Sequence, residues 1–171
     1  LKMNFLGGIL DSMGTDGGDA KDTIDNESVP PRFDPILKLY DNLSNLNETN
    51  VMNAWNSGQN IINHCHHCSE SLFGIGNGGN LTISDFDSIS NVDRHSILYS
   101  VGCWAAALDR DAILEHFVVN ASGGGFVLGN SRYGWYSPGN PGGGPSDLFD
   151  REFFKMLFDN NIYRIGGTLA S

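Results

Sequence analysis

The sequence predicts an α/β domain, a mostly parallel sheet with helices on both faces, in three layers. Two observations predict it. Short apolar runs, several of them β-branched, alternate with amphipathic stretches in the order strand, helix, strand, helix, divided by turns rich in Gly and Asn. Residues able to do chemistry, His64 to Cys68 and Gly102 to Cys103, stand where two of these runs end. Sites of parallel α/β sheets lie beyond the carboxyl ends of the strands. With 171 residues, 40% of them hydrophobic, residues 1–171 are expected to form one domain with a real core.

The elements follow in order. Phe5 to Leu10 ends a first strand, and Asp11 to Asp19 is a loop rich in Gly and acid. Asp19 is placed to cap a short helix through Ile24. Val29 to Pro35 is extended or turning, because its prolines forbid a long helix. Ile36 to Tyr40 reads as a strand, Asp41 to Asn50 as a polar loop, and Asn50 to Gly58 as a helix capped by Asn50. Val51, Met52, Ala54 and Trp55 lie at helical spacing and read as core. A strand from Asn60 to His64 follows, then a Gly/Asn loop from Leu72 to Leu81. Thr82 or Ser84 caps a segment through Ile89. Ser96 to Val101 is a strongly apolar strand, and Asp109 to Val119 an amphipathic helix that ends at Gly123-Gly124-Gly125. Phe126 to Gly129 is a strand, Asn130 to Gly144 a long loop, and Leu148 to Leu157 a helix capped by Ser146 or Asp147.

A net charge of −10 argues against a nucleic-acid partner and gives an acidic, solvated surface. No apolar run is long enough to span a membrane. Both ends read as cuts through a longer protein, so flanking domains of the same chain are expected. Asn-x-Ser/Thr sites at Asn26, Asn42, Asn47, Asn80 and Asn120 are compatible with export, which points to an extracellular or cell-envelope location. Three cysteines cannot all pair within one chain, so a reactive or metal-binding thiol stays open.

Cys103 at one strand's carboxyl end and histidines at another's suggest a cysteine hydrolase. A thiolate nucleophile needs a nearby base to form near neutral pH. Gly102 lets the backbone approach closely, and the Cys103 amide is placed to meet an oxyanion. Cys103 as one more buried thiol is the competing reading. The cluster His64-Cys65-His66-His67-Cys68 also allows zinc. On a continuing strand, His64, His66 and Cys68 would share a face, yet no second cluster completes four ligands. His95 and His116 are isolated and read as surface or satisfied core residues. Asp16-Gly17-Gly18-Asp19 lacks the lysine of a phosphate loop and presents carboxylates instead. Structural calcium at Asp11, Asp16 and Asp19 is conceivable, without an ordered ligand repeat.

The order of motifs is more specific than any one of them. Gly17-Gly18-Asp19 comes first, then Asn63-His64-Cys65-His66-His67-Cys68-Ser69 and Ser100-Val101-Gly102-Cys103. Ala112-Ile113-Leu114-Glu115-His116-Phe117, Gly123 to Arg132 and Trp135 follow. This series resembles the catalytic domain of the gingipain-like cysteine peptidases, which have a caspase-like fold, and the likeness covers nearly the whole chain. The resemblance implies a cysteine endopeptidase acting on protein or peptide substrates and requiring no cofactor. It implies that Cys103 is the nucleophile and His67 the catalytic histidine, with the backbone N–H groups of Cys68 and Cys103 holding the oxyanion. Asp19 or Asp16 would orient His67, and Glu115 would tie down the Cys103 loop. Asn130, Ser131, Arg132 and Trp135 would wall the substrate pocket. The glycines that flank the family's histidine are here His66 and Cys68. An inactive relative acting as a binding or surface module is therefore an alternative, and so is a site under metal or redox control. One form of redox control is a reversible disulfide between Cys68 and Cys103.

Overall fold

The computed structural model describes residues 1–77 and 79–170, so one glycine of the predicted Leu72–Leu81 loop, Gly78, lies outside the described residues. Five parallel strands form the central sheet: β1 (Met3–Gly7), β2 (Leu37–Tyr40), β3 (Ile61–Cys65), β6 (Ser96–Ser100) and β7 (Gly124–Gly129). Their order across the sheet is β2-β1-β3-β6-β7. A separate antiparallel hairpin pairs β4 (Leu72–Gly74) with β5 (Asn80–Thr82). The helices are α1 (Gly17–Ser28), α2 (Glu48–Asn56), α3 (Ile83–Asp87), α4 (Ile113–Val119), α5 (Pro145–Phe158) and α6 (Ile165–Ala170).

Side chains of a strand alternate between faces, so each strand feeds two cores. Leu6, Ile62 and Leu98 point to one side, where Trp55 of α2, Phe73 of the hairpin, Phe86 of α3 and Phe117 of α4 pack together. Trp55 meets the three phenylalanine rings edge-on at centroid distances of 5.3 to 5.8 Å. Phe5, Ile61 and Tyr99 point to the other side, against Ile24 of α1 and Phe153, Phe154 and Leu157 of α5. The predicted three-layer α/β architecture is the observed one.

β3 shows what the alternation does for the site. Asn63 and Cys65 face α5, where Asn63 Nδ2 donates to Asp150 (2.5 Å) and the Cys65 thiol lies 3.8 Å from Asp147. Asp150 also pairs with the fully buried Lys21 of α1. Between them His64 faces the hairpin and stacks on Phe73 (3.8 Å, 28°). Register aligns Gly7 with Cys65, His64 with Ser100, and Ser100 with Gly129, so these strands end at nearly one level. The chain order reverses between β1 and β3, and a crevice opens there.

Several boundaries differ from expectation for local reasons. Asp16, not Asp19, caps α1, because its Oδ1 accepts from Gly18 N (2.7 Å). Asn47, not Asn50, caps α2 through Asn50 N (3.0 Å). The stretch predicted as a loop from Leu72 to Leu81 contains the β4–β5 hairpin, held in place by Phe73 and Leu81 in the core. The helix expected from Asp109 begins only at Ile113. Asp109 is spent on Arg132, which it binds through both carboxylate oxygens (2.9 and 3.2 Å). α5 starts with Pro145 at its first turn, and Asp147 reaches back to Gly144 N (3.1 Å).

Candidate active site

β3 stops at Cys65, so His66, His67 and Cys68 leave the sheet rather than continue its alternation. His66, His67 and Cys103 line one cleft together with Leu10, Gly102, Gly134, Trp135, Tyr136 and, at its floor, Cys65 and Asp147. His67 is exposed and Cys103 half-buried. No hydrogen bond joins the two. The Cys103 thiol instead lies 3.3 Å from the Gly134 N–H, which donates to it, and 3.6 Å from the Gly134 carbonyl.

His67 Nε2 lies 2.7 Å from the Leu10 carbonyl. A carbonyl only accepts, so Nε2 carries the proton, and in the neutral ring Nδ1 holds the lone pair. The same ring meets Tyr136 edge-on (6.1 Å, 77°). Asp16 and Asp19, the expected orienting residues, do not bond His67: Asp16 is engaged at the α1 cap, and a backbone oxygen takes the place of a carboxylate. The Glu115 side chain makes no hydrogen bond among the described residues and does not hold the Cys103 loop.

That loop is held by other groups. His64 Nε2 donates to the Gly74 carbonyl (2.8 Å), which leaves Nδ1 to accept from the Ser100 hydroxyl (2.9 Å), and Ser100 Oγ accepts from Gly102 N (3.1 Å). Burial holds the His64 ring neutral, well below the ordinary histidine range. Asn130 Nδ2 donates to the Val101 carbonyl (2.8 Å). Trp104, next to Cys103, sits in the left-handed region (φ 59°), which is rare for a bulky side chain. Its backbone N–H donates to the Arg132 carbonyl (2.6 Å), and the guanidinium groups of Arg110 and Arg132 lie 4.8 and 5.0 Å from its ring. A strained residue beside Cys103 is thus fixed from several sides.

The backbone N–H groups of Cys68 and Cys103 donate to no acceptor among the described residues. Burial pushes the Cys65 and Cys68 thiols up to about 12, so both stay protonated near neutral pH. Among the described residues no three His, Cys, Asp or Glu side chains converge as a metal site. Both nitrogens of His64 are occupied, Asp11 bonds its own turn, and Asp16 caps a helix.

One family model, peptidase family C25, matches residues 2–171. The chain belongs to peptidase family C25. Among curated proteins none matches. Three solved structures share its fold. An Arg-specific cysteine proteinase, gingipain R, superposes with a TM-score of 0.74 at 18% identity over 98% of this chain and 40% of its own. A structure described as a protease gives 0.66 at 16% identity, over 79% of this chain and 30% of its own. A complex of Porphyromonas gingivalis gingipain pro- and mature domains gives 0.60 at 17% identity, over 91% and 36%. The chain therefore spans about two fifths of the length of gingipain R or less of these relatives.

Within this C25 chain the fold brings together His67, Cys68, Cys103 and Trp135, four of the residues singled out from sequence. Trp135 is 63% exposed at the cleft wall, so it is not core. Asn130, Ser131 and Arg132 do not line the cleft. Asn130 ties the end of β6, Ser131 borders an apolar groove beside β7, and Arg132 braces Trp104. Sequence reasoning missed Leu10 and Ser100, whereas Tyr136 ends the loop expected to wall the pocket and does line the cleft. For Ser100 a hint existed, a hydroxyl inside an apolar strand one turn from the cysteine. Leu10 acts through its carbonyl, which no side-chain pattern announces.

Proposed function

We propose that this protein is a cysteine peptidase in which Cys103 and His67 act as a dyad on peptide bonds. The observation that carries the reading is their meeting in one cleft at the carboxyl ends of β6 and β3, in a chain of family C25. The other two thiols, Cys65 and Cys68, are pushed towards their protonated forms. In this mechanism the Cys103 sulfur attacks the scissile carbonyl carbon and its proton passes to His67 Nδ1, the basic nitrogen. The carbonyl oxygen becomes an oxyanion held by the N–H groups of Cys68 and Cys103. Collapse breaks the C–N bond, and His67 gives its proton to the leaving amine. Water, deprotonated by the same nitrogen, then cleaves the thioester and restores the thiol. Trp135 and Tyr136 wall the cleft for the substrate side chain.

The substrate is a protein or peptide, and the domain works outside the cell or in its envelope as part of a longer chain. Exposed sequons at Asn26, Asn42, Asn47 and Asn80 are consistent with that location. The test is a peptide library offered to the wild type, Cys103→Ala and His67→Ala, with iodoacetamide labelling followed by peptide mapping. Cleavage lost in both variants, and preferential labelling at Cys103, is the expected result. Cleavage that persists in Cys103→Ala, or a Cys103 no more reactive than Cys65, removes the reading.

A further inference from the structure

We propose that Asp11, which touches neither the thiol nor the histidine, is the positioning residue for His67, acting through the Leu10 carbonyl and the Tyr136 ring. The inference rests on the peptidase reading for its functional meaning but not for its geometry. His67 has two neighbours that fix its ring, the Leu10 carbonyl at Nε2 and the Tyr136 ring in a T-shaped contact. Both lead to Asp11. The turn from Leu10 to Thr15 is closed by Leu10 N donating to the Thr15 carbonyl (2.8 Å). Asp11 fills that turn. Its Oδ1 accepts from Met13 N (2.9 Å) and Thr15 N (3.0 Å), and its Oδ2 accepts from Thr15 Oγ1 (2.8 Å). The Tyr136 hydroxyl approaches the same carboxylate.

Thr15 extends the device. Its hydroxyl is buried, donates to Asp11, and accepts from Gly139 N (2.7 Å) in the loop that carries Trp135 and Tyr136. One carboxylate thus joins the turn that orients the histidine to the wall that receives substrate. The chemistry needs this. A neutral imidazole exists as two tautomers, and only the one protonated at Nε2 leaves Nδ1 to take the thiol proton. A fixed carbonyl opposite Nε2 selects that tautomer. If the turn relaxes, the selection is lost although His67 itself is intact. The titratable groups facing His67 are His66 at 5.4 Å between ring centroids, Tyr136, and across the cleft Cys103 and Asp147.

The test is side-chain nitrogen NMR of protein labelled at histidine, with His67 assigned by its loss in His67→Gln. The wild type is expected to show His67 as the Nε2–H tautomer with slow exchange of that proton. Asp11→Ala is expected to give a mixture of tautomers, with kcat lowered by about 10- to 100-fold and KM within about threefold, since small misplacements of a reacting group act on rate. Thr15→Val, which keeps the shape and loses the hydroxyl, shifts the spectrum the same way, and Thr15→Ser restores the wild-type spectrum. Where Asp11→Ala does not fold, Thr15→Val carries the test. A pure Nε2–H tautomer with unchanged exchange in the variant that folds overturns the inference. Because the spectrum needs no turnover, a protein that cleaves nothing yet responds in this way keeps the positioning role and loses only the peptidase reading.

Discussion

Replacing Gly102 by alanine adds one methyl group, and the structure gives it no room. The new Cβ would stand 2.3 Å from Cys68 Sγ, 2.7 Å from Cys68 Cβ and 3.0 Å from the His66 carbonyl oxygen. Carbon contacts become comfortable at about 3.5 Å, so the sulfur has to retreat by roughly 1.2 Å. Cys68 has little freedom to do so, since the residues on either side of it are paired to the hairpin: Ser69 N donates to the Leu72 carbonyl (2.9 Å) and Gly74 N to the His67 carbonyl (2.9 Å). The alternative is a shift of the Gly102–Cys103 loop, which is held by Ser100 and Asn130. Overpacking of this kind costs about 1–3 kcal/mol. For a chain of this length each kcal/mol lowers Tm by about 2–4 °C, so a drop of about 2–12 °C is expected by calorimetry. On the peptidase reading a displacement near 1 Å at Cys103 costs about 100-fold in cleavage rate, and the altered access to its thiol is read as a changed iodoacetamide labelling rate. Cys68→Gly in the same chain removes the obstructing thiol and should recover most of both losses. A Gly102→Ala protein with wild-type Tm and wild-type labelling rate would falsify the placement of Cys68 beneath the Cys103 loop.

Two further outcomes follow from charges away from the cleft. Lys21 and Asp150 are both fully buried, so Lys21→Met strands a carboxylate that burial already disfavours, and urea unfolding should register a loss of about 3–5 kcal/mol. Lys21→Met with Asp150→Leu should recover at least half of it, and a double variant as weak as the single one would show that the charges are not the cause. His116 bonds Asp87 (2.7 Å) and Asp111 (2.9 Å), and these carboxylates raise its pKa. The charged ring is the stabilising form, so its contribution is complete below the unfolded value of about 6.5 and is lost as pH rises through the higher folded value. The Tm gap between wild type and Asp87→Asn should therefore close as pH is raised from slightly acidic to alkaline, and a gap independent of pH would refute the assignment.

How much of this could be read in advance depended on which atoms carry the information. The strands β3 and β6 were legible because Ile61-Ile62 and Ile97-Leu98-Tyr99 are side chains that a two-faced sheet demands. Choosing His67 from among His64, His66 and His67 was a different matter. Periodicity would have placed His64 and His66 on one face, and the strand's end at Cys65 voids that count. Only the order of motifs along the chain pointed to His67. The hairpin was hidden because Gly and Asn dominate its sequence, whereas Phe73 and Leu81, each fully buried, decide its structure. Asp109 looked like the start of a helix, but its carboxylate is taken by a bidentate arginine and the helix begins only at Ile113. The orienting group of His67 was sought among carboxylates. It is a main-chain oxygen, and every residue has one.

The two residues that most distinguished this chain from its family by sequence, His66 and Cys68, are accommodated by space taken from their neighbours. A side chain at Gly8 would reach within 1.9 Å of the His66 ring, and one at Gly74 within 2.2 Å of it. Gly102 stands in the same relation to Cys68. Glycine flanking a histidine is one way to let backbone approach closely; glycine at the residues opposite is another. The rings and thiols then fill the gap without pushing on the Cys68 and Cys103 amides, which remain free of protein partners. The substitution that looked like damage in one dimension is balanced in three. It also changes what the site is made of. The floor beneath the Cys103 loop is a half-buried thiol held protonated, where the family pattern has only backbone. That thiol leaves no room for a side chain at Gly102.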